Sequence, residues 1–198
     1  HVCGIGFVPE AVVVAAPATA ERITSGAAAD QLEAAGVEWG VAWPTNLRVD
    51  RVVEPGRFEC GSFQVEAIDA TGHTPDGLAY VLVDQGVLLP GDYLSDMTYP
   101  FIIGGLEPMI ATSVRLLDAL ERHDLRWVVP GHGRALTPAE AKAVGESDLA
   151  YLERLRGHRV LLARGLRLPA SRPAVLASAP RERRDLPCLG AVLVGDED

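Results

Sequence analysis

The chain has 198 residues, of which 48% are hydrophobic and 23% are charged, and its formal net charge is −9. A chain of this length and apolar content can bury a sizeable core, and one domain is the natural expectation. The acidic balance leaves no general basic surface, which argues against nucleic acid as a partner. No apolar run reaches about 18 residues, so neither a membrane-spanning helix nor a membrane partner is expected.

The three cysteines are Cys3, Cys60 and Cys188, which are far apart and form no CxxC pair. An odd number of cysteines without metal-ligand spacing predicts neither a disulfide framework nor a zinc ribbon. Free thiols are typical of a reducing compartment, so we expect a cytoplasmic location.

The first part of the chain combines a short β-rich run at residues 11–16 with an alanine-rich helix predicted over residues 18–35. Gly36 is expected to end this helix, and Gly26 weakens its middle. Further apolar runs bounded by Gly, Pro and Asp turns then predict a series of strands. These runs are residues 48–53, 63–70, 78–83 and 87–89.

The second part alternates helix and strand. A helix is predicted over residues 109–123, with an apolar face directed at the sheet. That face consists of Ile110, Val114, Leu117 and Leu120. Residues 127–129 then form a buried strand.

A capping box at residues 137–140 opens a last helix, because Thr137 can cap, Pro138 fits the first helical position and Glu140 can bond back. This helix is predicted to reach about Arg156. Its apolar face is assigned to Val144, Leu149, Leu152 and Leu155.

The pattern weakens after Gly157. Residues 161–168 fit a short helix or a strand, and residues 169–187 are typical of a loop. We therefore assign residues 1–156 to one domain and residues 157–198 to a C-terminal extension of that domain.

Three Gly/Pro turns each place one metal-binding side chain directly after an apolar run. Residues 71–77 carry His73, residues 89–92 carry Asp92, and residues 129–133 carry His132. Backbone bulk is small in such turns, so a bound ion can be reached. Imidazole and carboxylate suit Zn²⁺ and also iron or manganese, and the three side chains could hold one ion with a position left for water.

These turns, taken in order, resemble the GHT-P, GD and PGHG turns of the metallo-β-lactamase superfamily over roughly residues 1–156. The resemblance implies an α/β fold of the αββα sandwich type. The family's most diagnostic motif, His-x-His-x-Asp-His, is absent from the 198 residues, and His1 matches its last histidine. We therefore expect the chain to be N-terminally truncated and to lack a strand layer and the remaining ligands.

The resemblance also implies a site with two zinc ions, with iron or manganese as alternatives. In this arrangement Asp92 bridges the ions, His73 binds the first, and His132 binds the second together with His1. Metal coordination lowers the pKa of water from about 15.7 to roughly 7, which supplies hydroxide at neutral pH. Hydroxide is then expected to attack an ester, thioester or lactone carbonyl, with Asp92 and His132 as the catalytic residues.

An Asp rather than a Cys at position 92 is similar to the glyoxalase II and lactonase branches of the superfamily. Two departures from those branches are Asp76, where a Gly is usual, and Tyr93, which begins a sequence unlike their Leu-Phe pair. Residues 97–106 form either a wall or lid of the cleft or a connection packed on the core. Tyr99 in this region is expected to bind substrate by donating to a carbonyl oxygen.

Two other functions stay open. Relatives with the same fold use iron to oxidise sulfur compounds, and a chain that has lost its metal site would serve as a binding or assembly unit. The expected partner is a small-molecule substrate, and the sequence does not predict the oligomeric state. His123, at a helix end, and His158, in a basic segment, are not assigned to the site.

Overall fold

The computed structural model describes residues 2–99 and 101–163. His1, His158 as a side chain, and the segment after residue 163 lie outside what it describes, so the predictions made for them stay predictions. A 3₁₀ helix at Val2–Phe7 comes first. The elements that follow are β1 (Val14–Ala15), α1 (Pro17–Thr24), α2 (Ala27–Trp39), β2 (Arg51–Val52), β3 (Gly56–Cys60), β4 (Phe63–Asp69), β5 (Leu78–Leu82), β6 (Val87–Leu89), α3 (Leu106–Arg122), β7 (Trp127–Val128) and α4 (Pro138–Ala163).

Five strands form the main sheet in the order β3-β4-β5-β6-β7. The pairs from β3 to β6 are antiparallel, whereas β6 and β7 are parallel, with Leu88 opposite Val128. β1 and β2 form a separate parallel pair. The parallel pairing of β6 and β7 matters for the site, because the carboxyl ends of parallel strands lie at the same edge of a sheet.

Both faces of the main sheet carry apolar side chains, as the alternation along β5 shows. Ala79 and Val81 belong to the large core that the sheet shares with α3 and α4. Tyr80 and Leu82 point to the other face and pack in a smaller cluster that Val14 of β1 joins. The sheet is therefore layered between elements on its two sides, as expected for an α/β sandwich.

Helix α3 begins three residues earlier than predicted, and its buried face is rotated from the predicted one. The buried side chains are Leu106, Met109, Ile110, Thr112, Ser113, Leu116, Ala119 and Leu120. Val114 is 50% exposed, so its assignment to the sheet-facing side is wrong. Leu117 packs at the edge of the core, where a Cβ on Gly145 of α4 would lie 2.9 Å from its Cδ2.

The predicted helix over residues 18–35 is two helices. Gly26 adopts a φ of 86° between α1 and α2, which breaks the helix at the weak point that the sequence indicated. Gly36 does not end the second helix. That end lies at Gly40, whose φ of 67° is the left-handed conformation typical of a helix C-terminus.

Strand β3 has no counterpart among the predicted strands. It is an edge strand in which Arg57 and Glu59 are exposed, whereas Cys60 is buried as a free thiol. An edge strand with exposed polar residues at alternate positions contains no apolar run, so apolar runs alone do not predict it. The predicted strands at residues 11–16 and 48–53 are reduced to the two-residue strands β1 and β2.

The capping box of α4 is confirmed in both directions. The Thr137 N–H donates to Glu140 Oε2 at 2.8 Å, and the Glu140 N–H donates to Thr137 Oγ1 at 3.3 Å. The apolar face is also confirmed, with Leu152 fully buried. The helix continues past its predicted end at Arg156, through Gly157, to Ala163.

Candidate metal centre

His73 lies in the turn that follows β4, and its ring is held in a defined orientation. The Nδ1–H of the ring donates to the Phe101 carbonyl at 2.8 Å. The backbone of the loop beyond Phe101 also meets this turn, since the Ile103 N–H donates to the His73 carbonyl. In the neutral ring this arrangement leaves Nε2 as the nitrogen with a free lone pair, which is the form that binds a metal.

Asp92 lies in the turn that follows β6, and two imidazoles approach its carboxylate. Asp92 Oδ2 is 3.0 Å from His73 Nε2 and 3.5 Å from His132 Nε2. The Asp92 side chain is only 9% exposed, whereas His132 is 38% exposed. The structure therefore brings together three of the four predicted ligands around one buried carboxylate.

The turn that carries His132 follows β7 and is joined to the Asp92 turn through the backbone. The Gly131 N–H donates to the Gly91 carbonyl at 2.7 Å. A Cβ on Gly131 would lie 2.9 Å from Asp92 Oδ1, which is closer than real Cβ contacts allow. The glycine before His132 is thus explained by the space that the Asp92 carboxylate needs.

The hydrogen bond with Asp92 is the largest effect on His73 and raises the pKa of its imidazole, although burial of the ring opposes the change. The Phe101 carbonyl adds to the increase. Metal ligands must be deprotonated, so an ion bound at His73 Nε2 would displace the proton from that nitrogen.

The donor set fits a divalent metal of the zinc, iron or manganese type, because it consists of two imidazole nitrogens and a carboxylate. Within residues 2–99 and 101–163, no group of three or more His, Cys, Asp or Glu side chains is arranged to hold an ion as it stands. The imidazoles and the carboxylate contact one another directly. Binding would require them to separate by the small distance that an ion between them needs.

Asp76 is the departure from the glyoxalase-like pattern, and its carboxylate ties the His73 turn to α1. It accepts from Arg22 Nη1 at 2.7 Å and from Thr19 Oγ1 at 3.2 Å, and its side chain is 7% exposed. Burial opposes ionisation, but the hydrogen bonds led by Arg22 prevail and lower the pKa of Asp76. Sequence analysis missed Arg22 and Thr19, since nothing in the sequence links them to a turn more than fifty positions away.

A cavity of about 210 Å³ lies beside the candidate ligands. His73, Asp92 and Gly131 line one side, and Arg22 with Thr19 lines another. Apolar side chains complete the wall, and they come from the 3₁₀ helix, from β1 and from the ends of β5 and β6.

Leu94, two residues after Asp92, has a φ of 57°. It is the one residue other than glycine with a positive φ in the described ranges, and its side chain is buried. Left-handed backbone at a leucine is strained, and such strain persists where the surroundings hold it. The strain lies in the turn that carries Asp92.

Tyr99, which the sequence assigned to substrate binding, does not line this cavity. Its ring packs edge-on against Tyr151 of α4 with centroids 5.0 Å apart, and it contacts the large core. Burial raises the pKa of its phenol. Tyr99 thus lies in a strand-to-helix connection packed on the core, which is the second of the two structures predicted for residues 97–106. The substrate role of Tyr99 stays a prediction.

Asp148 lies in α4 near Tyr99, and burial raises the pKa of its carboxyl to about 6. The folded chain therefore keeps a proton that the unfolded chain loses near pH 4, so stability should fall as pH rises from about 4 to 6. We expect Asp148→Asn to add about 1 kcal/mol to the free energy of unfolding at pH 8, a value reduced for partial exposure of the side chain. The gain should vanish below pH 4.

Urea unfolding across this pH range measures the effect. Glu146→Gln is the matched control, because Glu146 is exposed on the same helix. An Asp148→Asn variant whose unfolding free energy follows the wild-type pH dependence would contradict the assignment.

His123 is remote from the candidate ligands. It is the residue that follows α3, and its Nε2 lies 3.4 Å from Glu66 Oε2 in a largely buried position. This position agrees with leaving His123 out of the site. The side chain is not a solvated residue at a helix end, because it is largely buried beside Glu66.

No helix among the described residues is long and apolar enough to cross a membrane. Neither a family model nor a curated protein matches the sequence. Solved structures do match. TTHA1429, a metallo-β-lactamase family protein from Thermus thermophilus, is 18% identical with a TM-score of 0.57, over 82% of this chain and 60% of its own.

Two further structures agree with this match. BLEG-1, a B3 metallo-β-lactamase, is 18% identical with a TM-score of 0.59, over 75% of this chain and 71% of its own. TTHA1623 in a di-iron-bound form is 21% identical with a TM-score of 0.54, over 72% of this chain and 68% of its own.

The chain thus spans 60% of the length of TTHA1429. At identities of 18 to 21%, these comparisons show a shared backbone fold and no more. The chain has the metallo-β-lactamase fold.

Proposed function

We propose that this chain is a metal-dependent hydrolase of small esters, thioesters or lactones, with His73, Asp92 and His132 as metal ligands. The observation that carries the proposal is the approach of two imidazole nitrogens to one buried carboxylate, at 3.0 and 3.5 Å, in a chain with the metallo-β-lactamase fold. Each of these side chains comes from a turn that follows a different strand of one sheet.

The residues of the chain have separate tasks in this proposal. The Phe101 carbonyl fixes the His73 ring so that Nε2 is directed at Asp92. The Asp92 carboxylate supplies negative charge in a buried position, where it attracts a cation more strongly than it would in water. A bound divalent ion supplies a Lewis acid and lowers the pKa of water, which is the chemistry that acyl hydrolysis needs.

Zinc is the ion that we propose first, in a site of two ions, with His1 as a further ligand. Iron and manganese suit the same donors. The cavity next to His73 and Asp92 is small and largely apolar, which favours a small-molecule substrate with an apolar acyl part. A cytoplasmic location and the absence of nucleic-acid and membrane partners belong to this proposal.

A second candidate is an iron-dependent oxidoreductase of sulfur compounds. It is favoured by one observation, the likeness to TTHA1623, whose structure is of a di-iron-bound form. The same three ligands would serve, so metal identity and oxygen consumption separate the two candidates.

The test is to load the purified chain with zinc, iron or manganese, to measure bound metal by elemental analysis, and to assay ester, thioester and lactone hydrolysis. We expect bound metal and metal-dependent hydrolysis in the wild type, with hydrolysis lowered by more than about 100-fold in His132→Ala. His123→Ala is the control and should keep both.

Two outcomes would overturn the proposal. One is a wild-type chain that binds none of the three metals. The other is hydrolysis that His132→Ala does not change. Oxygen consumption by the iron form without hydrolysis would favour the second candidate instead.

A further inference from the structure

Tyr93 follows Asp92 directly, and its hydroxyl joins two turns of the chain. The Tyr93 Oη accepts from the His73 N–H at 2.9 Å and donates to the Thr71 carbonyl at 2.8 Å. The side chain is only 5% exposed.

The turn after β6 therefore holds His73 at two separate points. The Asp92 carboxylate contacts the imidazole at 3.0 Å, and the Tyr93 hydroxyl contacts the backbone N–H of the same residue. One contact orients the ring, and the other fixes the distance between the two turns. Because Tyr93 is only 5% exposed, removing its hydroxyl would leave the His73 N–H buried without the acceptor that Tyr93 provides.

Helix α3 supports the same turn through the carbonyl to which Tyr93 also donates. Thr112 Oγ1 donates to the Thr71 carbonyl at 2.7 Å, and Arg115 Nη2 donates to Thr112 Oγ1 at 2.8 Å. The Thr71 carbonyl thus has two donors, whereas the His73 N–H has Tyr93 as its acceptor. Thr112 also hydrogen-bonds the Tyr93 side chain, so a substitution at Thr112 disturbs the turn partly through Tyr93.

We infer that Tyr93 is a positioning residue for the metal site, which sets the spacing between the turns of His73 and Asp92 through its hydroxyl. The inference rests on the proposed function in that these side chains are the ligands. In this role Tyr93 is not itself a metal ligand, although its side chain lines the cavity beside the ligands. Its position is also one of the two places where the sequence departs from the glyoxalase-like pattern.

The test is Tyr93→Phe, which removes the hydroxyl and keeps the ring that fills the core. In the metal-free protein, hydrogen exchange at the His73 amide should become faster by 10-fold or more, on the order of the loss of one buried hydrogen bond. Zinc affinity, measured by competition with a chelator, should fall by about 10- to 100-fold, the usual effect of removing an outer partner of a ligand. The absorption spectrum of the cobalt-substituted protein should also change.

Ser113→Ala is the matched control, since it removes a buried hydroxyl of α3 that donates to the Met109 carbonyl and to neither turn. We expect it to leave exchange at the His73 amide, zinc affinity and the cobalt spectrum near those of the wild type. Equal losses of zinc affinity in Tyr93→Phe and Ser113→Ala would overturn the inference, because both hydroxyls would then act only through general stability.

Wild-type zinc affinity and exchange at the His73 amide in Tyr93→Phe would also overturn it. A wild-type chain that binds no metal would refute the proposed function. Whether the Tyr93 hydroxyl holds the His73 turn would still be tested in that case, because hydrogen exchange at the His73 amide is measured without metal.

Discussion

Replacing Asp92 with asparagine should lower the affinity for zinc by more than about 100-fold, beyond the effect typical of a residue outside the ligand set. Asparagine has the same shape but lacks the negative charge that attracts both a cation and the two imidazoles. Thermal unfolding with and without zinc provides the measurement. A ligand present at 1,000 times its dissociation constant stabilises a folded chain by about 4 kcal/mol, so the wild type should melt at a higher temperature with zinc. At the same zinc concentration, an Asp92→Asn variant that binds about 100-fold more weakly would keep only about 1.4 kcal/mol of this stabilisation, so its shift should be about a third of the wild-type shift or less.

Asp96→Asn is the control for this experiment. Asp96 belongs to the same loop and pairs with Arg134 at 3.2 Å, so its replacement also removes one negative charge. It should keep the zinc-dependent shift of the wild type. If Asp92→Asn keeps the shift as well, the carboxylate between the two histidines is not a ligand.

The sequence was sufficient to predict which turns meet. His73, Asp92 and His132 each follow an apolar run, and the strands in those runs belong to one sheet, in which β6 lies beside β7 and β5 separates β4 from β6. The parallel pairing of β6 with β7 places the turns of Asp92 and His132 at the same edge. A local pattern of a strand followed by a Gly/Pro turn is sufficient to predict the three ligands, because the sheet brings the turns that carry them to one edge.

Contacts between distant segments could not be predicted. The bond from Arg22 to Asp76 depends on how α1 lies against the sheet, and the sequence showed Asp76 only as an unusual residue in its turn. Tyr93 was visible next to Asp92, but its partners are backbone atoms of another turn. Backbone donors and acceptors carry no sequence signal.

Helix ends and helix faces were predicted least well where competing signals were close together. Both Gly36 and Gly40 can end a helix, and the difference lies in the backbone, since Gly40 takes the left-handed conformation. Val114 has the same helical spacing as the other predicted apolar residues of α3. It lies at the edge of their face, however, and is 50% exposed. No second capping signal lies near the capping box of α4, and this helix start was predicted correctly.

The glycine before His73 should be the most sensitive position for stability. Gly72 has a φ of 118°, and a Cβ there would lie 2.4 Å from the Cα and N of Met109 in the first turns of α3. Met109 is buried, and its backbone is part of α3, so a shift of α3 or of the turn to make room would disturb the packed core. We expect Gly72→Ala to lower the free energy of unfolding by about 3 kcal/mol or more, from backbone strain together with overpacking. Urea unfolding of the metal-free chain measures this loss.

Gly157→Ala provides the comparison, because it is the same chemical change in another setting. Gly157 lies inside α4 with nothing within 4 Å of an added Cβ. Alanine should therefore raise the free energy of unfolding by about 0.5 to 1 kcal/mol through its better helix propensity. Opposite signs for the two variants are what the left-handed backbone at Gly72 and its close approach to Met109 together predict. A Gly72→Ala variant within about 1 kcal/mol of the wild type would mean that this turn and α3 are not in contact, and the support that Thr112 gives the turn would fail with it.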